Sequence, residues 1–104
     1  MMMVTTEAIH DERYQVLGLV RGTAAYSKNA VKDIGQAFKG IVGGELKSYS
    51  DLMEMACTTA TERMEAQAAD LGANAIIGVH YATMNMMADG APAVIVSGTA
   101  VKLV

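Results

Sequence analysis

The fold of this chain is decided by the stretch from Gly40 to Asn74, which reads GIVGGELKSYSDLMEMACTTATERMEAQAADLGAN. Its glycine-rich start, residues 40–45, predicts a reversal of the chain. Ser48 and Asp51 then have the Ser-x-x-Asp spacing of a capping box, in which two side chains satisfy the first backbone donors of a helix. Apolar side chains recur after it at three- and four-residue steps. We therefore predict a long amphipathic helix over residues 48–71, closed by a left-handed cap at Gly72.

The segments on either side predict strands and a shorter helix. Residues 14–22 are rich in β-forming side chains and indicate a first strand that continues toward Tyr26. Residues 29–41 have helical periodicity and predict a short amphipathic helix. Residues 74–84 and 93–101 are apolar at successive positions, which is typical of strands covered on both faces. Asp89-Gly90 between them indicates a hairpin.

The order strand, helix, helix, strand, strand predicts an α+β fold with two layers. A right-handed crossover lets the first two strands run parallel, and the hairpin makes the third antiparallel to the second. We place the third strand in the centre because it carries no charge before Lys102, which gives a three-stranded sheet of order 1-3-2. The long helix covers one face, so the other face needs a cover that the chain lacks. We expect one domain over 1–104, with an irregular N-terminal segment over 1–12.

Composition narrows the class of protein. The chain has 104 residues, of which 52% are hydrophobic and 18% charged, so one small core cannot readily hide all its apolar surface. The net charge is −3 and the basic residues are scattered, which argues against a nucleic-acid partner. No apolar run is long enough to cross a membrane, and the start does not have the pattern of a secretory signal. A single cysteine, Cys57, forms no internal disulfide, so we expect a cytoplasmic protein.

Three separated segments of the chain resemble one known family. They are residues 41–49 with the Ile-Val-Gly-Gly motif and a tyrosine, residues 71–79 reading LGANAIIGV, and residues 96–101 reading VSGTAV. Together they resemble the YbjQ family of small bacterial and archaeal proteins, which is labelled as heavy-metal-binding. The resemblance runs from about Tyr14 onward. It implies a dodecin-like subunit and a homopentameric ring, in which β-elements of neighbouring subunits help assembly. It implies no catalytic motif.

The heavy-metal-binding description of the family directs attention to the side chains of this chain that could bind a metal ion. Cys57, His80, Met84 and Met86 are the candidate ligands, since thiolate and imidazole bind divalent ions and thioethers bind soft ions. None has a partner at a familiar ligand spacing, so a buried thiol, a packed histidine and a packed methionine run are the simpler interpretations. A symmetry axis could still bring one donor from each subunit together. The sequence itself requires no cofactor.

The glycine pair Gly43 and Gly44 has two interpretations. Its backbone N–H groups could bind an anion near the start of the long helix, or the glycines could simply let the chain reverse. A nucleotide-binding loop is rejected because no Lys followed by Ser or Thr closes the Gly35-x4-Gly40 spacing. No arrangement of nucleophile, base and acid is present, so we expect a protein that is not an enzyme.

We expect the functional surface to lie where copies of the chain meet. The interface candidates are apolar residues of the two C-terminal strands: Ile77, Val79, Tyr81, Val94 and Val96. The leading hypothesis is a homo-oligomeric structural or binding protein. The alternative is a metal-binding or metal-sensing protein with its site at a subunit interface. A third class, small-molecule binding or catalysis in a groove between subunits, rests only on analogy with other ring-forming subunits.

Overall fold

The long helix predicted from the sequence is present and organises the fold. The computed structural model describes residues 1–25, 49–85 and 92–104. Within these residues the elements are β1 (Met2–Met3), β2 (Tyr14–Ala25), α1 (Tyr49–Asp70), β3 (Ala75–Asn85) and β4 (Pro92–Leu103). The prediction of a helix over 48–71 is thereby confirmed to within one residue at each end. The shorter helix predicted over 29–41 and the turn at Asp89-Gly90 lie outside the described residues.

The C-terminal end of α1 has the predicted cap. Gly72 has a φ of +87°, in the left-handed region that favours glycine. The Gly72 N–H donates to the Ala69 carbonyl over 2.9 Å, and the Ala73 N–H donates to the Ala68 carbonyl over 3.1 Å. These two bonds form a Schellman motif, which satisfies carbonyls that the helix leaves unpaired.

No helix among the described residues is long and apolar enough to cross a membrane.

Among the described residues the sheet has four strands in the order β1-β3-β4-β2, so the prediction of a three-stranded sheet is corrected. The additional strand is β1, which pairs parallel to β3 through Met2 with Ala75 and Met3 with Ile76. A strand of two residues is too short to show an alternating pattern. β4 lies between β2 and β3 and is antiparallel to both, which makes β2 and β3 parallel. The two ends of the β3–β4 hairpin, Asn85 and Pro92, face each other.

Two β-bulges decide which side chains face the helix. The pairing of β2 with β4 shifts between Val16 and Gly18, and that of β3 with β4 shifts between Ile77 and His80. Gly18 has a φ of +146° and Gly78 a φ of +62°, which only glycine adopts readily. A bulge inserts an extra residue and therefore changes which later side chains point to each face. The faces of both strands consequently switch part-way along their length.

One core lies between α1 and the sheet. The fully buried side chains of α1 are small or flexible, Ala56, Ala60, Met64 and Ala68. They pack against the buried helix-facing side chains of the sheet, which are Val20, Ala24, Ile76, Val79, Val94, Val96 and Ala100. Close approach is required here because a Cβ on Gly22 would overlap the carbonyl oxygen of Ala60. The alanine stripe and Gly22 therefore bring α1 directly onto β2.

A second, smaller core corrects the expectation that nothing in the chain covers the other face. Ala75, Ile77 and Val101 are buried on that face at one end of the sheet. Val4 and Ile9 of the N-terminal segment pack against them. The segment also bonds to β3, where the Gly78 N–H donates to the Thr6 carbonyl over 2.7 Å. The expected irregular segment thus includes β1 and covers part of the sheet, although its few apolar residues gave no periodic signal.

Candidate functional site: an open sheet face and a helix-edge groove

The rest of the sheet face opposite α1 is uncovered by the described residues. We call this surface the open face and define it by its exposed apolar side chains Val16, Leu19, Met84 and Ile95. Their exposed fractions are 61%, 72%, 48% and 39% respectively. Val16 and Leu19 lie toward one end of the sheet, and Met84 and Ile95 toward the other. Large apolar side chains grouped on one face of a small domain are typical of an interaction surface.

A polar row crosses the middle of the open face. Ser97 pairs with Arg21 of β2 on one side and with His80 of β3 on the other. Alternation places all three side chains on the face away from α1, because Val20, Gly22, Val96 and Gly98 lie on the helix side. Arg21 and His80 are exposed, whereas Ser97 is half-buried. The open face therefore has apolar ends and a polar centre that includes the cation Arg21.

A groove lies between α1 and β3 on the helix side of the sheet. It encloses a cavity of about 310 Å³ lined by Met3, Cys57, Thr58, Thr61, Glu62, Glu65 and Tyr81. α1 packs mainly over β2 and β4, which leaves this space beside β3. The walls are mostly apolar, with two carboxylates at the helix side. Such a groove can accept an apolar side chain better than a highly charged ligand.

Hydrogen bonds order the polar groups of the groove. The Thr61 hydroxyl donates to the Cys57 carbonyl, with 2.7 Å between the oxygens. The Thr61 hydroxyl has only one hydrogen to donate, so it acts as the acceptor in its second bond. The Tyr81 hydroxyl therefore donates to Thr61 Oγ1 over 2.7 Å. The oxygen of Tyr81 keeps its acceptor capacity toward the groove. This pair fixes the tyrosine ring against α1.

Cys57 lies in the wall of this groove as a free, half-buried thiol. Burial raises the pKa of the Cys57 thiol, and the nearby negative charge of Glu54 raises it further. Both effects favour the neutral thiol over the thiolate that binds metals and reacts with electrophiles. The environment of Cys57 is therefore unlike that of an activated cysteine.

The described candidate metal ligands do not converge within one subunit. His80 and Met84 share the open face, and the four residue steps of strand between them span about 13 Å. Cys57 lies on the other side of the sheet, in the groove. Among residues 1–25, 49–85 and 92–104, no group of three His, Cys, Asp or Glu side chains could hold a metal ion. Met86, Gly43 and Gly44 lie outside the described residues.

The structure uses most of the interface candidates within the subunit. Val79, Val94 and Val96 are buried against α1, and Ile77 is buried under the N-terminal segment. Tyr81 is the one candidate with a substantially exposed side chain, at 42%. The apolar pattern of both strands could not show which face the subunit covers for itself. The role of these five residues at a subunit interface stays a prediction.

Leu19 and Arg21 of β2 were not named as candidates from the sequence, although both side chains are exposed on the open face. A strand of alternating faces that begins at Tyr14 would point both side chains toward the helix, and the bulge at Gly18 reverses this. Glycine inside a strand pattern is the signal that could have indicated the bulge. Met3 of the groove was missed because its strand has only two residues.

The family model described as "Putative heavy-metal-binding" matches residues 1–104, the whole length of this chain. The chain belongs to the YbjQ family. The resemblance found in the sequence is thereby confirmed. The family match also includes residues 1–13, which the resemblance did not cover. The match is consistent with the packing of the N-terminal segment onto the sheet.

Relatives of this YbjQ family member are similar over their full lengths. The UPF0145 protein of Clostridium novyi (strain NT) is 46% identical over 99% of both chains. The UPF0145 protein of Alkaliphilus metalliredigens (strain QYMF) is 45% identical over 100% of both. A crystal structure of a DUF74-family protein of unknown function from Pediococcus pentosaceus has a TM-score of 0.65. It is 19% identical and covers 100% of this chain and 98% of its own, which shows a shared fold.

Proposed function

We propose that this protein is a homo-oligomeric structural or binding protein whose subunits meet through the open face. The observation that carries the proposal is the exposure of Val16, Leu19, Met84 and Ile95 on one side of the sheet. Covering these side chains removes apolar surface from water at about 25 cal/mol per Å². A second copy of the chain is the partner that is always available at matching concentration. The assembly we propose is the pentameric ring that the family resemblance implies.

The uncovered end of β3 supports the same proposal. The N-terminal segment bonds to β3 as far as Val79, whose N–H donates to the Val4 carbonyl over 3.0 Å. Beyond that point, the outward backbone groups of Tyr81 and Thr83 have no backbone partner among the described residues. An edge of this kind is a template for pairing with another strand. A neighbouring subunit can use the edge and the open face together.

Light scattering on the size-exclusion eluate tests the role of the open face with a matched pair of variants. Leu19→Ser replaces the most exposed side chain of the open face, and Leu71→Ser replaces an exposed leucine after the end of α1. We expect Leu19→Ser to lower the mass toward that of one chain and Leu71→Ser to leave it unchanged. Equal masses for both variants and for the wild-type protein would remove the open face from the interface. Circular dichroism checks that both variants remain folded.

We further propose that the protein acts by binding and not by catalysis, in the cytoplasm, without nucleic acid or membrane as partner. The scattered basic residues and a net charge of −3 support this. The raised pKa of Cys57 argues against a nucleophilic thiol. Turnover of any substrate by the purified protein would contradict the proposal.

A metal site at a subunit interface is the second candidate function. The family description supports it, and so does the placement of His80 and Met84 on the open face, where copies of the chain would meet. A ring that brings these donors together from several subunits would supply ligands that one subunit lacks. The other candidate donors are Cys57 in the groove and Met86. Any ion bound there would be divalent or soft.

Native mass spectrometry with elemental analysis tests the metal proposal. The protein is incubated with Zn²⁺, Ni²⁺ or Cu⁺, and the variant His80→Ala is compared with His10→Ala. His10 is the matched control because its side chain is 95% exposed and belongs to the N-terminal segment, not to the strands that form the open face. We expect stoichiometric metal in the wild-type protein and in His10→Ala, with loss in His80→Ala. No stoichiometric metal in any form would contradict the metal site.

A further inference from the structure

The polar row of the open face places the guanidinium of Arg21 and the imidazole of His80 on either side of the Ser97 hydroxyl. Arg21, Ser97 and His80 occupy successive strands at one level of the sheet. Neighbouring strands are about 4.8 Å apart, so Arg21 and His80 begin about 10 Å from each other with Ser97 between them. Both side chains are long enough to reach a group that sits above Ser97. The row therefore has the dimensions of a small-ligand site.

Both bulges are needed to bring these side chains to the same face. Ile77 and His80 both lie on the sheet face opposite α1 only because an extra residue is inserted at Gly78 and Val79. Val16 and Arg21 share it only because of the shift before Gly18. Without the bulges, strict alternation would turn Arg21 and His80 toward the helix layer. Bulges commonly change the direction of side chains beside functional sites. Here two bulges place Arg21 and His80 on the same face as Ser97.

The strands that carry the polar row contribute no carboxylate to it, and the carboxylates Glu7, Asp11 and Glu12 belong to the N-terminal segment. The carboxylates of α1, which include Glu62 and Glu65, lie on the helix side. On the open face, β2, β3 and β4 contribute no carboxylate from their described positions. The ion pairs found among the described residues join Met1 to Glu65 and His10 to Asp11. Neither of these ion pairs includes Arg21 or His80.

We propose that Arg21, Ser97 and His80 form a binding site for a phosphate-type oxyanion. The guanidinium of Arg21 offers a planar fork of donors that matches two oxygens of one ligand. The Ser97 hydroxyl donates to a third oxygen, and a ring nitrogen of His80 donates from the opposite side. The half-buried position of Ser97 beneath the row supplies a floor from which water is partly excluded. All three residues belong to a single chain, and the row lies within the face that the proposed assembly would cover, so the site is tested in the Leu19→Ser variant as well as in the wild-type protein.

Inorganic phosphate is the probe, and nuclear magnetic resonance follows its binding residue by residue. Protein treated with EDTA is titrated at low salt, so that a bound metal cannot capture the phosphate. The wild-type protein and Leu19→Ser are both titrated, which makes the result independent of assembly. We expect saturable shifts at the Arg21 side-chain N–H and at the amides of Ser97 and His80. Acetate, with one charge and two oxygens, is expected to bind more weakly.

Variants assign the binding to the row. Arg21→Ala is expected to weaken phosphate binding about tenfold or more, because a charge-assisted and bidentate contact is lost. His80→Ala is expected to weaken it less. Lys102→Ala is the control, since Lys102 is an exposed cation of the same sheet outside the row, and its affinity should remain within about twofold. Circular dichroism verifies that each variant is folded.

Three results would overturn the proposal. The first is the absence of saturable shifts at the row in both the wild-type protein and Leu19→Ser. The second is equal weakening by Arg21→Ala and Lys102→Ala, which would indicate attraction by general charge. The third is acetate binding as tight as phosphate binding, which would refute the phosphate-type ligand. Loss of assembly alone does not affect this test. The proposal of assembly through the open face and the proposal of phosphate binding can therefore be refuted independently.

Discussion

The two outer edges of the sheet differ in the hydrogen bonds that other parts of the chain make to them. On the β2 edge, side chains of α1 bond to the strand: the Arg21 N–H donates to Gln67 Oε1, and Arg63 Nη1 donates to the Thr23 carbonyl, each over 2.8 Å. On the β3 edge, backbone of the N-terminal segment bonds as far as Val79, and the strand beyond it has no such cover among the described residues. One edge is closed at its centre and the other is half open.

This difference is consistent with the proposed assembly, in which a neighbouring subunit pairs with the half-open edge. The unpaired N–H and C=O groups of an edge strand can pair with a strand of another chain, and proteins commonly block edges at which no partner binds. Arg63 and Gln67 are one helical turn apart, so a single face of α1 reaches along β2. The close packing at Gly22 holds α1 near enough for these bonds. The same placement of α1 toward β2 leaves the groove beside β3.

Removing the close approach of α1 to β2 should have the largest effect. A Cβ at position 22 would overlap the carbonyl oxygen of Ala60 and lie 2.6 Å from the Met64 nitrogen, both rigid backbone atoms. We expect Gly22→Ala to lower the free energy of unfolding by about 3 kcal/mol, as overpacking does. Urea unfolding at fixed protein concentration measures this change.

Gly98→Ala is the matched control for that variant. Its nearest obstacle, at 2.6 Å, is the Cγ2 atom of the Ile76 side chain, which can move more readily than backbone. We expect a smaller loss of stability than for Gly22→Ala. If Gly98→Ala were the more destabilising change, the contact of α1 with β2 would not be the tightest in the fold.

Proline substitutions distinguish the inner and outer sides of β3. Ala82 pairs with Ile95, and alternation from the outward Val79 N–H turns the N–H of Ala82 toward β4 and that of Thr83 toward the open edge. Ala82→Pro should cost about 2 kcal/mol because it removes a ladder bond. Thr83→Pro should change the stability by less than about 0.5 kcal/mol. Urea unfolding of the monomeric Leu19→Ser background compares them, and equal losses would show that the edge at Thr83 is paired.

Removing the side chains that close the β2 edge should have a moderate effect. Arg63→Ala and Gln67→Ala each remove one hydrogen bond to the strand, so we expect about 1 kcal/mol of lost stability for each. Glu62→Ala is the control because Glu62 lies on the same helix but lines the groove. We also expect the double variant Arg63→Ala and Gln67→Ala to aggregate faster on storage. A double variant as stable and as soluble as Glu62→Ala would contradict the closed-edge interpretation.

The reactivity of Cys57 should show the smallest effect and reports on the groove beside β3. Burial and Glu54 raise the pKa of its thiol, so the reactive thiolate is scarcer at neutral pH than in an exposed cysteine. We expect iodoacetamide to react more slowly with the folded protein than with the urea-unfolded chain, and the rate to rise only at higher pH. Equal rates at neutral pH would contradict this environment.

The helix and the long strands could be predicted because their signals are local. Apolar side chains at helical spacing between Ser48 and Gly72 indicate α1, and the β-forming side chains of residues 14–22 indicate β2. The assignment of faces could not be predicted from periodicity. Both faces of β3 and β4 are apolar, and the bulges at Gly18 and Gly78 exchange the faces within β2 and β3.

The candidate site was only partly accessible from sequence. His80, Met84 and Cys57 were found as donors, but their separation between the open face and the groove depends on the bulge and on the position of α1. The row of Arg21 and His80 joins residues far apart in the chain, so no spacing motif records it. β1 gave no signal because two residues cannot show a period.

Sedimentation equilibrium of the wild-type protein at micromolar concentration tests the central claim most directly. The claim is that copies of the chain cover the open face, whose side chains Leu19 and Val16 are 72% and 61% exposed in one subunit. The account predicts one species of about five times the 10.9 kDa of a single chain. A folded species at 10.9 kDa that does not associate with increasing concentration would contradict it.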